Sequence, residues 1–170
     1  DGILIIDKPV EWTSHDVVGK LRRILKTKRI GHTGTLDPFA TGVLVMLVGQ
    51  ATRLAQFLDK DAKEYEATIQ FGFETDTGDL TGEKRDAVTE RCADTVTESE
   101  IKEVLIDFRG EIEQIPPMYS AKKIEGKKLY ELARKGIEIE RKPVTVIIHE
   151  LELLKGIQTP NSQIRIRVLC

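Results

Sequence analysis

The hydrophobic positions of this 170-residue chain fall into short runs whose spacing changes along its length. The first, residues 3–6, is an unbroken apolar stretch closed by Lys8 and Pro9, the pattern of a short buried strand. Val18, Leu21 and Leu25 then recur at helical spacing, with Lys20, Arg22, Arg23 and Lys26 on the other side. The spacing predicts an amphipathic helix to about Lys26, capped by Thr13 or Ser14. "VLVMLVG" at 43–49 predicts a central strand apolar on both faces, and residues 50–58 a short helix behind it. Residues 63–73 alternate at period two, with Tyr65, Ala67, Ile69 and Phe71 on one face.

"ETDTGDLTGE" is a polar loop of turn formers. Thr97 and Glu100 have the spacing of a capping box, opening a helix over 98–109 that Gly110 closes. "IPPMYSAKK" must be extended around its prolines, and "KKLYELARKG" reads as a helix stopped by Gly136. Residues 144–154 and 163–170 alternate as two strands of a hairpin joined by "KGIQTPNS". This order predicts an α/β (α+β) domain on a mixed, largely antiparallel sheet flanked by helices. It occupies residues 1–170 as one domain, without an internal repeat.

Charge changes the picture. The net charge of −2 conceals a basic start, an acidic middle and a basic end. Residues 1–63 carry +3, residues 64–118 carry −10 and residues 119–170 carry +5. A polyanion responds to local positive faces rather than to the total, although solvated surface charge accounts for the same numbers. No apolar run reaches membrane-spanning length, and Lys8 and Pro9 interrupt the apolar start too early for a signal peptide. Cys92 and Cys170 have no metal-ligand spacing and make no disulfide framework. The expectation is a soluble, cytoplasmic chain.

The densest group of specialised residues is "GHTGTLDP" at 31–38. It lacks the lysine and hydroxyl of a phosphate-binding Walker loop and the third glycine of a dinucleotide fingerprint. His32 and Asp37 alone fall short of a zinc site, and the chain has no nucleophile elbow of the G-x-S-x-G type. Two readings of Asp37 remain. It caps an ordinary Asx-turn, as Asp before Pro commonly does, or it is a carboxylate held in a rigid polar turn for chemistry.

"GHTGTLDPFATGVL" resembles the active-site motif of the TruB family of tRNA pseudouridine synthases, whose relatives include the dyskerin-like enzymes. "ILIIDKPVEWTSHDVV", "KEYEATIQFGFETDTGD" and "FRGEIEQIPPMYSAKKIEGKKLYELARKGIEIER" resemble further blocks of that family in the same order, over nearly the whole chain. The resemblance implies a pseudouridine-synthase-like fold, incomplete at the C-terminus. It also implies isomerisation of uridine to pseudouridine in the TΨC loop of tRNA, without metal or other cofactor. Asp37 would be the catalytic aspartate, acting as nucleophile at C1′ or on the base, or as a base toward a sugar proton. Tyr65 would stack on the flipped uracil, and His32 would occupy the space the extruded bases leave. Without the resemblance, Tyr65 reads as a half-buried strand residue and His32 as a turn histidine.

Lys8, Thr13 and Ser14 fall in the family's opening segment and would build the loop beneath the site. Met118, Tyr119 and Ser120 would shape its pocket, or simply fill core. Lys20, Arg22, Arg23, Lys26, Lys28 and Arg29, with Lys122, Lys123, Lys127 and Lys128, would track phosphates of the tRNA T-arm stem-loop. The expected protein is a monomer needing no membrane and no small-molecule cofactor.

The chain departs from the family in two ways. Glu11 stands where the family commonly has Gly, and the sequence stops at Cys170 before the family's second pocket tyrosine, its arginine and its PUA domain. The expectation is a truncated catalytic domain, unstable or weakly active alone. The alternative is an RNA-binding or tRNA-folding module without turnover; a guide-dependent catalytic subunit is a third reading.

Overall fold

The computed structural model describes residues 1–170 apart from 59–60, 86–95, 121–122, 125–126, 134–135, 138 and 159–161; Cys92 and Lys122 therefore lie outside the described residues. The chain divides into two compact units, Asp1–Asp61 and Ala62–Cys170. Among the described residues no helix is long and apolar enough to cross a membrane.

In the first unit, β1 (Gly2–Lys8), β2 (Ile30–His32) and β3 (Gly42–Val48) form an antiparallel sheet in the order β1-β3-β2. Helix α1 (Ser14–Leu25) covers one face, setting Val17, Val18 and Leu21 against Ile30, Leu44 and Met46. β3 is central, as its apolar run predicts, and it is buried on both faces where Met46 and Leu47 point to opposite sides at 0% exposure, while Val43 near its start is 69% exposed. Thr13, not Ser14, caps α1. Its hydroxyl accepts from the Asp16 amide while the Asp16 carboxylate accepts from the Thr13 amide. The helix expected over 50–58 is a 3-10 turn, Gly49–Leu54, running into the single turn α2 (Ala55–Leu58). The Thr52 hydroxyl donates to the Gly49 carbonyl at 2.8 Å, a local bond that competes with a regular α turn.

The second unit is built on an antiparallel sheet of β4 (Glu64–Gln70), β11 (Glu150–Gln158) and β12 (Gln163–Leu169) in the order β11-β12-β4. Tyr65 pairs with Val168, Ala67 with Ile166 and Ile69 with Ile164, so the predicted alternating face exists. Ile164 and Ile166 meet Leu151 and Ile101 of α3 (Glu98–Asp107), whose Thr97–Glu100 capping box forms as the spacing predicts. On the other face Arg165 pairs with Glu66. Arg167 is gripped by Glu64, Glu150 and Glu152 at 3.2, 2.7 and 3.1 Å. Glu152 first, then Glu64 and Glu150, hold the Arg167 guanidinium still more firmly protonated.

Several boundaries differ from expectation. Residues 144–154 are two strands rather than one, with β10 (Val144–Ile148) pairing with β7 (Gly110–Gln114) and β11 with β12. The chain changes sheets at His149, whose amide donates to the Leu169 carbonyl at 2.8 Å. β7 escapes sequence reading because "GEIEQ" offers one apolar position, and a strand in a two-stranded ribbon needs no more. β4 stops at Gln70, before Gly72 turns the backbone to φ +99°. Between them lie the small ribbon of β5 (Glu74–Thr75) and β6 (Lys84–Arg85) and that of β8 (Lys123–Ile124) and β9 (Lys127–Lys128). Lys127 and Lys128, expected in a helix, belong to β9; among the described residues α4 covers Leu129–Ala133, and Gly136 stands at φ +69°.

Leu151 is 4% exposed and sits at the centre of the second core. Leu151→Ala should lower the unfolding free energy by about 2–5 kcal/mol, read from urea denaturation.

Candidate active site

The connection from β2 to β3 is held at several points. After the last β2 pair, His32 with Met46, the Thr33 amide donates to the Val45 carbonyl at 3.2 Å. Leu36 turns its side chain into the core of the first unit. The Ser14 hydroxyl accepts from the Leu36 amide at 2.9 Å and donates to the Leu36 carbonyl at 3.3 Å. On the other flank the Pro38 carbonyl accepts from the Glu11 amide at 2.8 Å and from the Lys8 ammonium at 3.3 Å. Asp37 stands between these two anchored residues.

Lys8 is fully buried, and its ammonium also donates to the Pro9 and Trp12 carbonyls at 3.0 and 2.6 Å. Three carbonyl dipoles therefore replace water around a charge that would otherwise be costly to bury. Glu11 sits at φ +67°, in the left-handed region where a Cβ is strained. The geometry explains why a glycine suits this turn. It also shows that the Glu11 contact to the loop is made by the backbone, so that the side-chain departure leaves it intact.

Asp37 itself is exposed. Its backbone carbonyl accepts from the Ala40 amide at 3.1 Å, closing a turn with Pro38 in the second position. The turn is thus a backbone turn, and among the described residues of the first unit the carboxylate has no hydrogen-bond or ion-pair partner. The Asx-turn reading accordingly has no bond behind it here. His32 is half-buried beside this loop, and its Nδ1 is buried without a hydrogen-bond partner among the described residues. The arrangement presents one unencumbered carboxylate on a backbone that cannot easily move. That is the requirement for a carboxylate acting as nucleophile or base.

The sequence model of the TruB family pseudouridylate synthases, N-terminal domain, matches residues 22–170. The chain belongs to this family. It is 51% identical over 154 residues to tRNA pseudouridine synthase B of Solibacter usitatus, covering 91% of this chain and 52% of that protein. It is 49% identical over 173 residues to tRNA pseudouridine synthase B of Bacillus cereus, covering 100% of this chain and 56% of that protein. The chain thus spans about half the length of the curated relatives it matches. Among solved structures it is similar to a Cbf5–Nop10–Gar1 complex, at TM-score 0.67 and 30% identity over 99% of this chain and 39% of that one. A second is an H/ACA RNP bound to a substrate RNA containing 2′-deoxyuridine, at TM-score 0.62 and 27% identity over 99% and 37%.

Within this TruB-family fold, Asp37 and His32 share the first unit and Tyr65 belongs to the second. Tyr65 stands on the apolar face of β4, opposite Val168, and remains 43% exposed. Burial, and secondarily Cys170, push its phenol above the ordinary value, so the hydroxyl stays protonated at neutral pH. Of the basic residues, Arg29 is tied to Thr52 and Gln50 at 3.0 and 3.1 Å, and Arg22 reaches the Ile30 carbonyl at 3.5 Å. Lys20, Arg23, Lys26 and Lys28 are exposed. Among the described residues Thr13 makes no hydrogen bond to the Asp37 loop, whereas Lys8 and Ser14 do; sequence alone placed all three in one segment without separating their tasks.

Lys8→Met keeps the aliphatic stem and removes the ammonium. It should destabilise the protein by roughly 1.5–3 kcal/mol, the net worth of hydrogen bonds to a charged group, measured by chemical denaturation. Glu11→Gly should do the reverse: relief of the left-handed strain, less the entropy glycine gains when unfolded, leaves stability unchanged or raised by up to about 1 kcal/mol. A clear loss of stability in that variant would contradict the role given to the turn.

Proposed function

We propose that this chain is the catalytic part of a tRNA pseudouridine synthase, isomerising uridine to pseudouridine in the TΨC loop. The observation that carries the reading is the Asp37 carboxylate, exposed and without local partners on a loop fixed at Leu36 and Pro38. In the reaction the N1–C1′ bond breaks, the uracil turns, C5 bonds to C1′, the C5 proton leaves and N1 gains a proton. Asp37 acts as the ionised nucleophile or base of this sequence. The target nucleotide must leave its stack to reach the carboxylate. Tyr65 is the ring assigned to the flipped uracil on the strength of its family motif, and His32 fills the space the base vacates. The reaction is redox-neutral and isomeric, so it consumes no oxidant, reductant or co-substrate.

The partner is the T-arm stem-loop of tRNA, and the exposed Lys20, Arg23, Lys26 and Lys28 are assigned to its phosphates. The near-50% identity to proteins named tRNA pseudouridine synthase B, against 30% or less to the Cbf5 and H/ACA complexes, favours action on tRNA itself over guidance by a second RNA. Cytoplasmic location and a monomeric state belong to the same proposal.

The test is tritium release from C5-labelled uridine in a bare tRNA stem-loop, with the protein in its full natural length. Asp37→Asn should abolish release while leaving stem-loop affinity within about threefold, since it removes a charge but no phosphate contact. Undiminished release would remove Asp37 from the chemistry. Binding without release in the unaltered protein would favour the tRNA-binding module instead.

A further inference from the structure

We propose that Ser14 is a positioning residue that sets where Asp37 stands, acting through Leu36 and not on the substrate. The inference rests on the reading of Asp37 as the reacting carboxylate. Ser14 is only 2% exposed, and its single hydroxyl engages both backbone groups of Leu36, accepting at 2.9 Å and donating at 3.3 Å. No other residue bonds Leu36 in the described structure. The downstream neighbour, Pro38, has no amide hydrogen, so only its carbonyl can be held, and Lys8 and Glu11 hold it. The upstream flank is therefore the one place where a donor and an acceptor next to Asp37 are fixed together.

The helix has no use for this hydroxyl. Thr13 caps α1, closing a complete capping box with Asp16, and Ser14 is the first residue inside the helix. Alanine is a better helix former there than serine. The Leu36 side chain also packs against the core cluster that α1 forms with β2 and β3, so the loop is located by an apolar plug and oriented by one hydroxyl. Removing the hydroxyl leaves the plug in place and frees the peptide to rotate. Misplacement of a reacting group by an ångström lowers turnover by roughly 100-fold without changing what is bound.

The experiment compares Ser14→Ala with Thr13→Ala in the full-length protein. Ser14→Ala should lower kcat by about 10- to 100-fold with stem-loop affinity within about twofold. Thr13→Ala removes the cap and weakens α1, yet should keep kcat within about twofold. Unchanged kcat in Ser14→Ala, or an equal fall in Thr13→Ala, overturns the proposal. A second readout needs no activity: Leu36 amide exchange should accelerate by about tenfold or more in Ser14→Ala, and unchanged exchange also overturns it. If Asp37→Asn retains turnover, the catalytic reading fails while the Leu36 exchange still reports on the latch.

Discussion

The set of hydrogen bonds from residues 8–14 to the backbone of residues 36–38 is the constraint on which the candidate site depends. A carboxylate that must react has to be exposed, and an exposed loop is ordinarily mobile. Here rigidity comes from beneath the loop, not from the carboxylate. Lys8, Ser14 and the Glu11 amide bond only main-chain groups, so the acceptor positions of the Asp37 carboxylate stay available. Leu36 adds an apolar anchor in the core that α1 makes with β2 and β3.

Lysine at position 8 shows what such rigidity costs. An aliphatic residue would bury more cheaply, but it would take the donor from the Trp12 and Pro9 carbonyls and leave the Pro38 carbonyl to the Glu11 amide alone. One ammonium collects all three and joins the end of β1 to the turn after Asp37. Glu11 shows a related tension: the turn needs a left-handed residue to aim an amide at Pro38, and it accepts a strained side chain to keep that amide. Position and stability are set by the same few atoms.

The second unit solves a different problem with the same alternation. The apolar face of β12 meets Ile101 of α3, while its other face carries Arg165 and Arg167 among glutamates contributed by β4 and β11. Those exposed pairs set register more than they add stability, because solvent screens them. Tyr65 lies on the apolar face but remains nearly half exposed, so a ring placed for packing is also open to a planar ligand.

Much of this protein was legible in order of sequence. Alternation identified β4 and β12, helical spacing identified α1, and the Thr97–Glu100 spacing identified the start of α3, because each is a local preference written in neighbouring residues. The motif at 31–38 pointed to the TruB family, to which the chain belongs. Tertiary structure alone decided the rest. That β7 exists, that residues 144–154 break at His149 to serve two sheets, and that Val43 of β3 is exposed while Leu47 on the same face is buried depend on partners distant in sequence. So does the division of labour between Thr13 and Ser14, adjacent hydroxyls of which one caps a helix and the other reaches across to Leu36. A hydroxyl's identity is fixed by its residue, but its partner is fixed by whichever backbone the fold brings within 3 Å.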